Sequence, residues 1–237
     1  MGMKPMPPIA VLAGGLATRL NPMTRTLPKA LIEVAGRPFI AHQLELFARR
    51  GISEAVYCLG HLGEQIEEFV GDGSRFGVNV CYSYDGDRLR GTGGAVIRAL
   101  PMLGDEFLVT YGDSYLDIAY APLVEAFRDS GAPAMMTVFK NDGKWDASNV
   151  DFKNHMIVAY DKKILTPRMR HIDYGLLVME PQALDRWDGK EAFDLAEVLG
   201  DLVTAGHLAG YEAPERFYEI GSLAGIADLA AYLGYSR

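Results

Sequence analysis

Residues 9–29 read IAVLAGGLATRLNPMTRTLPK, and this stretch decides how the rest of the chain can be interpreted. The apolar run IAVL predicts a buried strand, which ends at Gly14 and Gly15. Glycines at the end of a strand let backbone N–H groups approach a ligand closely, as they do in phosphate-binding loops. Arg19 and Lys29 add two cations to the same loop. The stretch therefore predicts a polyphosphate site at the carboxyl edge of a sheet.

The loop matches neither of the two widespread phosphate-binding fingerprints. The Walker motif needs Gly-Lys-Ser/Thr at its end, and the dinucleotide motif needs G-x-G-x-x-G; both are absent between residues 9 and 29. An ordinary strand-to-helix turn that happens to contain two glycines is therefore an alternative when this loop is considered alone.

Composition limits the possible partners and locations. The chain has 237 residues, 49% of them hydrophobic, and a formal net charge of -8. This length is sufficient for one domain over residues 1–237. The negative charge argues against nucleic-acid and anionic-membrane partners. Two cysteines provide no disulfide framework, and no apolar run is long enough for a membrane span, so we expect a cytoplasmic protein.

The hydrophobic pattern predicts an α/β fold. From residue 9 to about residue 140, short apolar runs alternate with amphipathic segments, which indicates a mostly parallel sheet in a three-layer αβα arrangement with a Rossmann-like half. The second half, about residues 141–237, contains more strands. The segment Gly91-Thr92-Gly93-Gly94 predicts a break before a short helix over residues 95–100.

Asp113 is the second candidate site residue. It follows the apolar strand FLVTY and Gly112, so its carboxylate is expected at the carboxyl end of a strand, where open α/β sheets bind ligands. A carboxylate that faces a phosphate site needs a cation between them, which points to Mg²⁺. A helix N-cap or turn aspartate is the alternative for this residue alone.

Taken together, LAGGLATRL, LPKAL and VAGRPFI resemble the N-terminal signature of the sugar-1-phosphate nucleotidylyltransferases. Ala17 stands where the family usually has glycine. The resemblance implies a GT-A-like nucleotidyltransferase fold, with a nucleotide-binding half over about residues 9–140 and an acceptor-binding half over about residues 141–237. It further implies that the nucleotide contacts the loop residues Leu12, Ala13, Gly14 and Gly15, and that Lys29 is the catalytic lysine.

Later segments match the family in order. Gly93 and Gly94 lie in a GTGGA segment that resembles the family's base-binding turn, and YGDS, with Gly112 and Asp113, resembles its metal-binding Gly-Asp motif; Gly112 is assigned to the acceptor side. In FYEIG, Glu219 replaces the family's second metal-binding aspartate. Lys162 is expected to neutralise the acceptor phosphate, with Lys163 as the alternative.

Two further residues are candidates for the acceptor site. Asn149 and Asp173 lie at predicted strand edges on the acceptor side, where they could hydrogen-bond sugar hydroxyls. The histidines show neither zinc-binding spacing nor a Ser/His/Asp grouping.

The resemblance implies transfer of a nucleoside monophosphate from an NTP to a sugar 1-phosphate. Mg²⁺ would be held by Asp113 and Glu219, Arg19 would stabilise the leaving pyrophosphate, and Lys29 would stabilise charge at the α-phosphorus. The short form resembles heptose-1-phosphate guanylyltransferases, which we favour, and N-acetylmuramate-1-phosphate uridylyltransferases. Two alternatives remain: a cytidylyltransferase for a non-sugar phosphate or phosphonate, and a catalytically silent nucleotide-sugar sensor. A homodimer is expected at the level of the family.

Overall fold

A computed structural model describes residues 4–15, 23–141 and 143–234. In chain order its strands are β1 (Ile9–Leu12), β2 (Glu33–Val34), β3 (Arg37–Pro38), β4 (Glu54–Leu59), β5 (Asn79–Tyr84), β6 (Phe107–Tyr111), β7 (Ser114–Tyr115), β8 (Ala134–Lys140), β9 (Val150–Lys153), β10 (Met156–Tyr160), β11 (His171–Met179), β12 (Leu208–Glu212) and β13 (Tyr218–Glu219). Its α-helices are α1 (Phe39–Arg49), α2 (Gly63–Val70), α3 (Gly91–Ala99), α4 (Tyr120–Ser130), α5 (Leu195–Ala205) and α6 (Leu223–Tyr232).

The central sheet of the described chain has nine strands in the order β5-β4-β1-β6-β11-β8-β12-β10-β9. Strands β5, β4, β1 and β6 are parallel to one another, and β8 is parallel to β12. Strand β11 runs antiparallel to both β6 and β8, and β10 runs antiparallel to both β12 and β9. All but β11 and β10 therefore point in the same direction, which confirms the predicted mostly parallel sheet.

Helices cover both faces of this sheet. On one face, α1, α2 and α4 contribute Leu44, Ile66 and Leu123 to a buried apolar cluster. On the other face, α3 and α5 contribute Val96 and Val198 to a second cluster. The predicted three-layer αβα arrangement is confirmed. No helix within the described ranges is long and apolar enough to cross a membrane.

A two-stranded sheet outside the central one joins distant parts of the chain. Strand β13 pairs antiparallel with β7, so that Glu219 lies opposite Ser114 and Tyr218 opposite Tyr115. Helix α6 packs beside it, and Leu229 shares a small buried cluster with Tyr115 and other apolar residues. This pairing brings a residue from the end of the chain to the carboxyl end of β6.

The start of α3 differs from the expectation. The sequence predicts a break at residues 91–94, whereas the helix begins at Gly91 itself. Gly91 has a φ of +68°, a left-handed conformation that glycine adopts at little cost because it lacks a side chain. The helix then continues through Gly93 and Gly94, because a neighbouring segment packs against these residues.

Candidate functional site

A cavity of about 280 Å³ opens where β1 and β6 end side by side. Seven of the residues assigned from the sequence line it: Leu12, Ala13, Gly14, Gly15, Lys29, Gly112 and Asp113. This position follows from the topology, because the carboxyl ends of adjacent parallel strands meet at one edge of a sheet.

Close backbone contact holds the two loops that form this edge. The Gly112 N–H donates to the Leu12 carbonyl over 2.9 Å, and the Ala13 N–H donates to the Cys58 carbonyl over 3.0 Å. A Cβ on Gly112 would lie 2.8 Å from the Ala13 Cβ. Only glycine fits at position 112 without moving the loop that follows β1.

Lys29 and the two predicted metal-binding carboxylates lie together. The Lys29 Nζ donates to Asp113 Oδ2. A Cβ on Gly221 would lie 3.1 Å from Glu219 Oε1 and 3.5 Å from Lys29 Nζ, so Glu219 and Lys29 share one small region. The Ile220 N–H donates to the Asp113 carbonyl over 3.0 Å, which fixes the strand carrying Glu219 beside Asp113.

The chemistry of this group suits a hard divalent cation. Asp113 and Glu219 offer carboxylate oxygens, the ligands that Mg²⁺ prefers. Within the described residues there is no cluster of three or more His, Cys, Asp or Glu side chains that could hold a metal. Mg²⁺ typically keeps several waters and uses one or two carboxylates together with substrate phosphates, so this pair fits the usual pattern.

Arg19, the second predicted catalytic cation, lies outside the described residues. Its assignment to the leaving pyrophosphate stays a prediction.

The three predicted acceptor residues of the second half come together. The Asp173 N–H donates to Asn149 Oδ1 over 2.9 Å, and Lys162 Nζ lies 3.9 Å from Asp173 Oδ2. The Tyr160 hydroxyl donates to the same Asp173 oxygen over 3.0 Å. The Asp173 side chain is only 8% exposed. Lys162 is therefore the lysine that approaches this cluster, whereas the backbone of Lys163 takes part in the turn that follows β10.

Tyr111 connects this acceptor cluster to the cavity. Its side chain lines the cavity, and Lys162 Nζ lies 5.9 Å from the centre of its ring. Burial raises the pKa of the Tyr111 hydroxyl, and the negative charges of Asp173, Asp194 and Asp113 raise it further. Carboxylates from three separate segments of the chain therefore act on one tyrosine.

Sequence reasoning missed Asp85, which follows β5 and lines the cavity. Its side chain is buried, and the Arg90 N–H donates to Oδ2 over 3.2 Å. Burial is the main reason that its pKa is raised. Apolar atoms of Leu89 and Cys58 line the same cavity. The position of Asp85 at the end of a strand, the signal that identified Asp113, could have found it.

Gly93 and Gly94 are not among the residues that line the cavity; Gly91, Thr92 and Ala95 are. A Cβ on Gly93 would lie 2.2 Å from Cε2 of the Phe193 ring, and one on Gly94 would lie 3.1 Å from the Glu191 carbonyl oxygen. Close packing of α3 against residues 191–193 explains these glycines without a ligand. Their assignment to the nucleotide base stays a prediction.

Replacing Gly93 with alanine separates these two explanations. We expect Gly93→Ala to lower the free energy of unfolding by about 1–3 kcal/mol, because the new methyl group overpacks the Phe193 ring. Urea denaturation measures this change. The control is Gly200→Ala, since Gly200 lies inside α5 with no atom within 4 Å of its added Cβ; alanine there should stabilise by up to about 1 kcal/mol. Unchanged stability of Gly93→Ala with a raised KM for the NTP would instead favour a nucleotide contact.

Both the sequence and the fold of this chain are similar to those of known proteins. The family model described as nucleotidyl transferase matches residues 9–147. The chain is 28% identical over 208 residues to a UTP–glucose-1-phosphate uridylyltransferase of Synechocystis, with 81% of this chain and 53% of the relative covered. It is 42% identical over 111 residues to an N-acetylmuramate alpha-1-phosphate uridylyltransferase of Neisseria meningitidis, with 46% of this chain and 48% of the relative covered.

The fold is shared with solved structures. The crystal structure of HddC from Yersinia pseudotuberculosis superposes with a TM-score of 0.80 at 19% identity, covering 96% of this chain and 100% of the other. The chain spans about half the length of the two curated relatives named above. Because the family model covers more than half of the 237 residues and includes the glycine loop, Lys29 and Asp113, the chain belongs to the nucleotidyl transferase family.

Proposed function

We propose that this chain transfers a nucleoside monophosphate from an NTP to a sugar 1-phosphate. An oxygen of the sugar phosphate attacks the α-phosphorus, a new P–O bond forms, and the bond to the leaving pyrophosphate breaks. The observation that carries this proposal is the juxtaposition of Glu219 with Lys29 and Asp113, two residues that line a cavity. Tyr111 lines the same cavity and lies near Lys162 of the acceptor cluster.

Each residue has a role that follows from its charge. Lys29 would neutralise charge that develops at the α-phosphate, and Lys162 would neutralise the phosphate of the acceptor. Asp113 and Glu219 would hold Mg²⁺, which supplies positive charge for the triphosphate. The acceptor phosphate is ionised at neutral pH, so the reaction needs no general base. Catalysis is therefore positioning and charge neutralisation.

We further propose that the base is guanine, because Asp85 supports that choice. Its Oδ2 is held by the Arg90 N–H, and the carboxylate lies among apolar cavity walls. The guanine edge presents two adjacent donors, N1–H and the N2 amino group, which match the two oxygens of a carboxylate. Uracil and thymine present one N–H between two carbonyl oxygens, and these would be repelled by the carboxylate.

Replacing Asp85 with asparagine should change the base preference. We expect Asp85→Asn to lower kcat/KM for GTP by about 100-fold, since the buried amide would place a donor against a guanine donor. The loss with UTP should be smaller. Steady-state kinetics with each of the four NTPs measure this. The control is Arg88→Gln, which removes a charge from the same loop. An equal loss of kcat/KM with all four NTPs in Asp85→Asn would contradict base recognition.

The experiment that tests the proposed function is pyrophosphate release in the presence of Mg²⁺. Each of the four NTPs is combined with a panel of sugar 1-phosphates, including a heptose 1-phosphate and N-acetylmuramate 1-phosphate, and with small phosphorylated alcohols. Release with a sugar 1-phosphate supports the proposal. If no combination releases pyrophosphate but calorimetry shows nucleotide-sugar binding, the catalytically silent nucleotide-sugar sensor is favoured instead.

The second enzyme alternative, a cytidylyltransferase for a non-sugar phosphate or phosphonate, predicts an acceptor pocket with few hydrogen-bond partners for hydroxyl groups. The polar groups of Asn149, Asp173 and Tyr160 at the acceptor cluster favour a sugar instead. A cytoplasmic location, a homodimer and the expected absence of nucleic-acid and membrane partners stay predictions.

A further inference from the structure

Glu219, one of the two proposed metal-binding carboxylates, lies on a very short strand. Strand β13 consists of Tyr218 and Glu219, and its partner β7 is equally short. A two-stranded sheet of this size is at best marginally stable by itself, so the packing around it must hold the strand in place. Successive side chains of a strand point to opposite faces. Contacts that fix Tyr218 on one face therefore decide where the Glu219 carboxylate lies on the other, on the side of Lys29.

A stack of side chains holds Tyr218. The Arg216 guanidinium carbon lies 3.6 Å from the centre of the Trp145 ring and 4.5 Å from the centre of the Tyr218 ring. The Tyr218 ring in turn stacks on Tyr232 of α6, with ring centres 4.4 Å apart and ring planes inclined by 27°. Arg216 Nη2 also donates to Asp228 Oδ2 of α6 over 3.2 Å. One arginine therefore joins the segment that carries Trp145 to both β13 and α6.

Trp145 is presented by an ordered turn. Residues 143–148 follow β8 and fold around Asn141, which is 1% exposed. The Trp145 N–H donates to Asn141 Oδ1 over 3.0 Å, and Asn141 Nδ2 donates to the Ser148 hydroxyl over 3.1 Å. The next residue, Asn149, accepts the Asp173 N–H in the acceptor cluster. The turn that leads into the acceptor cluster thus also holds Trp145 against Arg216.

On the basis of the proposed metal-dependent transfer, we infer that Trp145 and Arg216 are positioning residues for Glu219. Their cation–π contact supports Tyr218 from the side of the turn, while Tyr232 and Asp228 support it from α6. A planar guanidinium suits this place, because it contacts aromatic faces and still donates to a carboxylate. When the contact between Trp145 and Arg216 is lost, β13 is held less firmly, and the Glu219 carboxylate spends less time in the position that binds the metal.

The test measures Mn²⁺ binding in the presence of NTP by electron paramagnetic resonance, which does not depend on turnover. We expect Trp145→Ala and Arg216→Gln each to weaken Mn²⁺ binding by about two- to tenfold, the strength of a cation–π contact converted to an affinity ratio. Trp145→Phe keeps an aromatic face for the guanidinium and should recover most of this loss. In a Glu219→Gln background, Trp145→Ala should cause no further loss, because both changes act through the same carboxylate.

Arg75→Gln is the control, since Arg75 likewise contacts two aromatic rings, Phe69 and Phe76, at 4.5 and 4.6 Å, and is not among the residues that line the cavity. Its Mn²⁺ binding should equal that of the native protein. If Trp145→Ala does not fold, Arg216→Gln tests the same contact without altering the turn.

Three results would overturn the inference: native Mn²⁺ binding in Trp145→Ala and Arg216→Gln, the same fold-loss with and without the Glu219 carboxylate, or native Mn²⁺ binding in Glu219→Gln. The second of these is the result expected from a purely structural effect on the turn. If the variants behave as expected but no pair of an NTP and a sugar 1-phosphate releases pyrophosphate, then the proposed function is contradicted and the positioning role of Trp145 and Arg216 is kept.

Discussion

Replacing Lys29 with methionine is expected to lower kcat by about 100- to 1,000-fold, the loss typical when one group that stabilises transition-state charge is removed. The Lys29 ammonium lies in the cavity and donates to Asp113. Methionine keeps the length of the side chain and its packing but removes the charge. The largest effect should therefore be on the chemical step, which single-turnover measurements of pyrophosphate release report directly.

Lys153→Met is the matched control for this variant. Lys153 is exposed at the end of β9, and it forms no ion pair with the described residues. Its replacement should leave kcat within about twofold of the native value, as expected for a surface change away from the site. A Lys29→Met protein that keeps more than one tenth of the native kcat would show that the charge of the α-phosphate is neutralised elsewhere.

The part of the site that could be predicted depends on strand ends. An apolar run that stops at glycines gives both a buried strand and the loop after it, so Gly14, Gly15 and Asp113 could be assigned before the fold was known. Parallel neighbours then bring those loops to one edge, and β1 does lie beside β6. The position of Lys29 could not be predicted in this way, because no strand end fixes it. Its contact with Asp113 spans 84 residues.

What could not be predicted depends on contacts between distant segments. A glycine permits close approach by any group, so the sequence does not distinguish a ligand from the Phe193 ring that packs on Gly93. Asp194 is the N-cap of α5, which is a local feature of the sequence. Its contact with Thr92 arises only when the chain folds. The antiparallel insertion of β11 between β6 and β8 also has no local signal, because β11 pairs with strands far from it in sequence.

Replacing either predicted metal-binding carboxylate should have an effect as large as the loss of Lys29. We expect Asp113→Asn and Glu219→Gln each to lower kcat/KM by about 1,000-fold, and EDTA to abolish activity until Mg²⁺ is restored. The reason is the pairing of β13 with β7, which holds both carboxylates beside Lys29. Binding of Mn²⁺ in the presence of NTP, followed by electron paramagnetic resonance, measures metal affinity independently of turnover, and both variants should weaken it.

Glu215→Gln is the control for Glu219→Gln, since Glu215 is exposed shortly before β13 and should not alter Mn²⁺ binding. The double variant Asp113→Asn/Glu219→Gln is expected to cost little more than either single variant, because residues that act as one unit are not additive. Additive losses in the double variant would mean that the two carboxylates act separately.

Glu219→Asp, which restores the family's usual residue, should keep Mn²⁺ binding better than Glu219→Gln, since it keeps the charge and shortens the side chain by one methylene. If Glu219→Asp binds Mn²⁺ no better than Glu219→Gln, then the longer glutamate reach is itself required by the position of β13.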